Sequence, residues 1–416
     1  MKHVKTTDLR AAAALATQAT HGAARIAEAV HQSVWSTLGV PGGPPGQTRG
    51  LTGFVYRAVH GVTQLVGKGL QAGFFKLEPQ LEQLVDAPPE TPQREAVLAA
   101  LNGVLGDRLA DEHNPLATPM TLRVDGHALA LRPGMPVDGA TDRILLLVHG
   151  LCMNDLQWKS PPADDASAPK PNDPWRALAA EQGYTPVYLR YNTGRHISDN
   201  GRELAALLDP LLAHWPMPVR DLSIVAHSMG GLVTRSALHV AQETCRLWPG
   251  RLQSVFMLGA PHHGAPLERA GNWIDLLIGS TPFSAPFAKL TQLRSAGITD
   301  LRYGCTVDAD WQGRDRFRHL PDQRQPLPLP SGPAWHVIAA TTASKRGLLT
   351  DRLLGDGLVP LRSALGQHDD PRHCLEIAAQ NQHIAYRMNH LALLHNPLVT
   401  DLVRHWMVVA RNPPSA

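Results

Sequence analysis

Long apolar runs are missing from this 416-residue chain. Nothing in it approaches the roughly 18 uninterrupted apolar residues of a membrane-spanning helix, so no span is expected. Cysteine is scarce. The four, Cys152, Cys245, Cys305 and Cys374, include no C-x-x-C pair, which argues against a zinc ribbon or a thioredoxin-like motif. So few in so long a chain also argue against a disulfide framework. A large charge excess is absent too: 39 basic and 36 acidic residues leave +3. The tryptophans and arginines form no basic-aromatic module, so nucleic acid is not an expected partner.

What is present fits a globular core with many turns: 43% hydrophobic and 18% charged residues, with 35 glycines and 35 prolines. The size allows two or three domains, or one large α/β domain with insertions. Histidine, at 21, is the unusual count.

The N-terminus superficially resembles a signal peptide, with Lys2, Lys5 and Arg10 ahead of Ala11–Ala14. Its apolar stretch is short, and Gln18 and His21 interrupt it, so a surface helix is the expected form and secretion is not. Helices are expected over 8–36, 51–76 and 92–110. The middle one places Leu51, Val55, Val59, Val62, Val66 and Leu70 on one face and Arg57, His60, Gln64, Lys68 and Gln71 on another. Such a helix packs on its own protein or lies on a membrane surface at the substrate entry. Cytoplasmic placement, at most peripheral to a membrane, is therefore expected.

From about residue 120 the pattern changes. Thr121–Val124 and His127–Leu131 predict a hairpin around Asp125-Gly126. Arg143–His149, Leu222–Ala226, Leu252–Leu258 and Trp335–Ala340 read as buried strands, because runs apolar on both faces suit a sheet covered on both sides. Thr185–Tyr191 is a further strand, Cys374–Ala379 is expected as the last, and Leu398–Val409 as the last helix. Strand–helix alternation predicts a parallel sheet covered by helices. Residues 266–333 interrupt it with Trp273, Leu276, Leu277, Ile278 and Phe283 and end in Pro326-Leu-Pro-Leu-Pro330. Such an insertion is a lid over a site or a structural addition.

The most informative stretch is Ser223-Ile-Val-Ala-His-Ser228-Met-Gly-Gly231. A buried strand ends and a helix begins with serine at the junction. The turn is too tight for bulk two residues before or after, where Ala226 and Gly230 stand. It resembles the nucleophile elbow of the α/β-hydrolase superfamily, with Ala226 in place of the usual first glycine. The competing reading is a buried structural serine.

That resemblance implies the rest of a site. The residue after the nucleophile, Met229, supplies one oxyanion N–H. The strand and loop Ile144–Cys152 carry His149-Gly150, similar to the lipase H-G-x signature, which makes Leu151 the second donor and gives His149 and Gly150 a supporting role. Triad order in this fold is serine, acid, histidine. Gly355-Asp356-Gly357-Leu-Val359-Pro360 resembles the D-G-x-V-P stretch of lipases and nominates Asp356, with Asp351 as competitor. Met388-Asn389-His390-Leu-Ala-Leu-Leu394 nominates His390, ahead of His383 and His395. Leu258-Gly-Ala-Pro-His-His-Gly-Ala265 resembles the T-P-H-x-G strand end of lipases and of the GPI inositol-deacylase-like group, with Ala260 where those have threonine. A support for the elbow is expected of it, and no metal at His262 and His263, because adjacent side chains diverge.

The resemblance covers roughly residues 120–410. It implies an α/β-hydrolase fold with a mostly parallel central sheet over 116–416, a lid-like insertion at 266–333 and a helical region at 1–115. It further implies a serine hydrolase that cleaves carboxylic esters through Ser228, Asp356 and His390, needs no cofactor or metal, and takes an acyl-ester or lipid-like substrate. The same triad serves a thioesterase, amidase, polyester hydrolase or acyltransferase. A non-enzymatic scaffold fits less well, since all three positions are filled.

Overall fold

The computed structural model describes residues 91–159, 173–265, 294–314, 322–344 and 355–411. The helices expected over 8–36 and 51–76, most of the apolar part of the insertion and Asp351 lie outside them. The chain divides into two compact units. One comprises Met1–Arg94 and Glu112–Leu116, the other Glu95–Asp111 and Ala117–Ala416. The sheet and the candidate site belong to the second.

The elements run in the order α1 (Pro92–Asp111), β1 (Thr121–Val124), β2 (His127–Ala128), β3 (Arg143–Val148), α2 (Pro174–Glu181), β4 (Thr185–Arg190), α3 (Ile197–His214), β5 (Asp221–His227), α4 (Met229–Glu243), β6 (Leu252–Leu258), α5 (Ala296–Tyr303), β7 (Ala334–Thr341), β8 (Gln382–Tyr386) and α6 (Pro397–Arg411). The eight strands form one sheet in the order β2-β1-β4-β3-β5-β6-β7-β8. From β4 to β8 every pairing is parallel, while β1 is antiparallel to both β2 and β4. The hairpin around Asp125-Gly126 forms, with both residues at positive φ.

The apolar runs explain the layering. Ile144–Val148 has no exposed surface, because helices cover the sheet on both sides. On one face Trp175 and Leu178 of α2 meet Val399, Val403 and Trp406 of α6 over Leu145, Val225, Phe256 and Ile338. The Trp175 indole N–H donates to the Leu394 carbonyl at 2.8 Å, so its buried polar end is satisfied. Helices α3 and α4 pack against each other.

The last strand departs from expectation. Cys374–Ala379 is not a strand; β8 is Gln382–Tyr386. Leu375 and Ile377 are buried while Glu376 and Ala378 are exposed, which gives the period of a strand. That segment folds back on Gly366 through one backbone bond instead of joining the sheet. The true strand is a half-exposed edge, QHIAY, without an apolar run.

Ion pairs tie α1 to the sheet. Arg190 of β4 holds Glu95 of α1 at 2.7 Å and also Asp155, and Arg123 of β1 reaches Asp155 at 3.3 Å. All four side chains are buried. Replacing Asp155 by alanine removes the carboxylate that two buried guanidinium groups share. The expected loss is about 3–5 kcal/mol, read as a lowered denaturant midpoint. A loss below about 1 kcal/mol would show that this cluster contributes no stability.

Candidate active site

Ser228 stands between β5 and α4 at φ 53°, ψ −122°, a conformation an L-residue rarely adopts. The surroundings over-determine it. Its amide donates to the Leu258 carbonyl at 2.9 Å, and its own carbonyl accepts from Gly231 at 3.0 Å. The helix then starts hard against the neighbouring strand. A Cβ at Gly230 would lie 2.4 Å from the Val148 carbonyl oxygen, so only glycine allows the approach. The strain aims the serine side chain out of the sheet and places the helix N-terminus beneath it.

Gly150, in the loop after β3, faces this turn. A Cβ there would stand 3.0 Å from Ser228 Cβ. Leu151 and Met229 follow Gly150 and Ser228 in their two chains of residues. Neither of their amide N–H groups donates to another described residue. His149 is buried and supports the loop. Its Nδ1 donates to the Gly150 carbonyl at 3.0 Å, its ring stacks on Tyr191 at 4.4 Å, and the Tyr191 hydroxyl donates to the His149 carbonyl at 2.8 Å.

Asp356 lies on the loop that follows β7. Its Oδ1 accepts from the backbone amides of Leu358 and Val359 at 2.9 and 2.8 Å. Its Oδ2 accepts from His390 Nδ1 at 2.6 Å. The His390 amide donates to the Asp356 carbonyl at 3.0 Å, so backbone and side chain are joined in parallel. Both side chains are completely buried. With Nδ1 donating, a neutral ring presents Nε2 as an acceptor, and that atom has no hydrogen-bond partner among the described residues. Ser228 and His390 are not hydrogen-bonded to each other, a looseness common in sites without substrate.

His383 lies in β8 opposite Ile338, and His395 ends the short helical turn Leu391–Leu394. Only His390, of the three histidines considered, bonds to Asp356.

Two further residues complete the site, and sequence reasoning missed both. His227, beside Ser228, donates from Nε2 to the His390 carbonyl at 3.2 Å, with ring centroids 4.7 Å apart. It couples the histidine to the serine's own backbone. Its signal was present, since it stands inside the motif, but a buried histidine before the serine reads equally as filler.

Gly259 directly follows β6, at φ +58°. A Cβ there would come within 2.8 Å of Leu393 Cδ1 and 3.2 Å of both Asp356 Oδ2 and His390 Cε1. Gly259→Ala is therefore expected to cost about 1–2 kcal/mol of stability through the backbone conformation alone. It should also lower kcat at least tenfold by pushing His390 off its geometry. Unchanged kcat would show that the bare Cα face is not what seats the pair.

Burial holds several histidines neutral. It lowers His149 and His336 to about 4 and His263 to about 3, and with neighbouring positive charge it lowers His227 and His262 well below the ordinary value. An unfolded histidine titrates near 6.5, so between about pH 6.5 and 4 the unfolded chain binds protons that the folded one refuses. Stability is thus full above pH 6.5 and falls as pH drops through that window. Melting temperature should be flat from pH 8 to 7 and decline steeply below 6.5. A flat profile down to pH 5 would contradict the buried neutral state.

An eight-stranded, mostly parallel sheet with helices on both faces, and a serine in a strained strand-to-helix turn at its centre, is the α/β-hydrolase fold. Residues 126–301 match the model of a family described as a domain of unknown function, DUF7379. No curated protein matches the sequence. Among solved structures the chain is similar to a mature lipase of Bacillus licheniformis, at 18% identity over 66% of this chain and 95% of that one, with a TM-score of 0.39. It is also similar to lipase 1 of Pelosinus fermentans, at 13% identity over 64% and 98%, TM-score 0.38. A lipase of Staphylococcus hyicus matches at 12% identity over 67% and 99%, TM-score 0.37. No helix among the described residues is long and apolar enough to cross a membrane.

Proposed function

We propose that this protein is a serine hydrolase of carboxylic esters, acting through Ser228, His390 and Asp356. The observation that supports this most is the buried Asp356–His390 pair, which leaves His390 Nε2 as an unpartnered acceptor at the site of the strained Ser228 turn. His390 takes the hydroxyl proton as Ser228 Oγ attacks the acyl carbonyl. The Asp356 carboxylate holds the tautomer and stabilises the imidazolium. The Leu151 and Met229 amides bind the tetrahedral oxyanion. The imidazolium then protonates the leaving alcohol. Water, deprotonated by His390, releases the acid and restores the serine.

The domain plan belongs to the same proposal: a hydrolase body over 116–416, a lid-like insertion at 266–333 and a helical region at 1–115. In the described part of the insertion, Asp300 accepts from the Ile197 amide of the body at 2.8 Å, and Ser295 Oγ donates to the Gly103 carbonyl, ahead of the body, at 2.7 Å. An acyl substrate with hydrophobic bulk, met in solution or at a lipid surface, suits the apolar insertion.

The test is hydrolysis of p-nitrophenyl esters of graded acyl length, with and without an emulsion interface. Measurable turnover that rises with chain length supports the reading. Turnover of short chains alone, with no gain at the interface, removes the lipid-like substrate. No turnover of any ester, thioester or amide removes the function.

A further inference from the structure

Helix α1 lies ahead of the stretch that resembles hydrolases, yet from Glu95 onward it belongs to the same compact unit as the sheet. Its middle packs on the loop after β3, which carries Leu151. A Cβ at Gly103 would stand 2.2 Å from Cys152 Sγ, 3.1 Å from Cys152 Cα and 3.2 Å from Cys152 Cβ. Turning the thiol aside would relieve the first contact and leave the other two. Glycine is unfavourable inside a helix, and here the close approach of α1 to the Cys152 backbone requires it. Cys152 is buried, and burial pushes its thiol up to about 12, so it packs as an uncharged group.

Further contacts tie the same surfaces together. Cys152 has φ 58°, a conformation strained for a residue with a side chain and kept only where the surroundings hold it. Its amide donates to Thr193 Oγ1 at 3.2 Å. Thr193 belongs to the loop after β4, and that loop also rests on α1. Asn192 Nδ2 donates to the Gly106 carbonyl at 2.8 Å, and a Cβ at Gly194 would stand 2.2 Å from the Asn102 carbonyl oxygen. Two residues beyond Cys152, Asn154 Nδ2 donates to the Glu95 carbonyl at 3.0 Å, while Asn154 Oδ1 accepts from the Leu156 amide at 2.8 Å. The loop is therefore held against α1 at Cys152 and again at Asn154. From another side α1 is pinned to the segment before α5. Ser295 Oγ donates to the Gly103 carbonyl at 2.7 Å, and Asp107 Oδ2 accepts from the Ala296 amide at 2.9 Å.

We propose that Gly103 is a positioning residue for the reaction at Ser228. Its bare Cα lets α1 seat the Cys152 backbone, and with it the adjoining Leu151 amide that binds the oxyanion. The inference rests on the reading of Ser228 and Leu151 given above. It adds that a helix outside the hydrolase resemblance sets the position of an oxyanion donor. A methyl group at 103 displaces the loop, because α1 is fixed by its other contacts. The Asp356–His390 pair is built from other segments and keeps its geometry.

The test uses the full-length protein and a p-nitrophenyl ester that the wild type hydrolyses. Gly103→Ala should lower kcat roughly 10- to 100-fold, less than the loss of about 10²- to 10³-fold for a donor removed outright, with KM within about twofold. An alkyl trifluoromethyl ketone, whose adduct with serine is a tetrahedral oxyanion, should bind more weakly by a similar factor. The acid limb of the kcat/KM profile reports the base and should keep its midpoint, which separates a displaced oxyanion donor from a displaced His390. Adding Cys152→Gly removes the Cβ and thiol that the new methyl strikes and suits the positive φ, so the double variant should recover most of the lost kcat. Asn154→Ser keeps a capping oxygen and drops the donor to Glu95, and should lower kcat about 3- to 10-fold. Wild-type kcat in a folded Gly103→Ala variant, a loss that Cys152→Gly does not relieve, or a shifted acid limb would overturn the inference and leave the reading of Ser228 standing. Should Gly103→Ala not fold, Asn154→Ser decides, and wild-type kcat there would overturn it. No wild-type turnover of any ester would remove both.

Discussion

Ser228→Ala should abolish ester hydrolysis, lowering kcat by on the order of 10⁵- to 10⁶-fold, the scale on which serine hydrolases lose activity with their nucleophile. The fold should survive. Alanine meets the same positive-φ constraint as serine, and the turn is held by backbone bonds from Ser228 to Leu258 and Gly231 that the substitution leaves intact. Far-ultraviolet circular dichroism and the melting temperature should therefore match the wild type, which separates lost chemistry from lost structure. Residual activity within tenfold of the wild type would remove Ser228 as nucleophile.

Asp356→Asn should lower kcat about 10⁴-fold with little change in KM. The reason is the division of labour between its two oxygens. Oδ1 is occupied by two backbone amides and Oδ2 by His390 Nδ1. An asparagine has one oxygen, and that oxygen must face the two fixed amides. Its NH₂ then points at Nδ1, which becomes an acceptor, and the ring proton moves to Nε2. His390 is left in the tautomer that cannot take a proton from serine. Because the amide donor fits where the carboxylate accepted, packing and substrate binding are preserved. Activity within tenfold of the wild type would show that Asp356 is not the acid.

These two effects rest on parts of the molecule that the sequence expresses unequally. Strands β3, β5 and β6 were legible because a strand buried on both faces must be an apolar run. The serine turn was legible because positive φ and a 2.4 Å approach of backbone exclude side chains, so Gly230 was forced. Asp356 and His390 were legible through resemblance, as local stretches on loops after strands.

Relations across distant segments were not legible. Gly259 matters through what its missing Cβ would strike on Leu393, Asp356 and His390, all far along the chain. The hold of His227 on the His390 carbonyl spans 163 positions. The pairing of Glu95 with Arg190, which binds α1 to β4, likewise has no local signature. The last strand was misplaced for a related reason. An edge strand needs no apolar run, and the alternation at Leu375 and Ile377 belongs to a segment packed on a turn.

The central claim is that Ser228 is a nucleophile activated by His390. A fluorophosphonate acylates the hydroxyl of such a serine, and its adduct is located by peptide mapping. The account predicts one adduct per chain, on Ser228, absent in Ser228→Ala and slowed by orders of magnitude in His390→Ala. No adduct on the wild type, or an adduct on another residue, would contradict it.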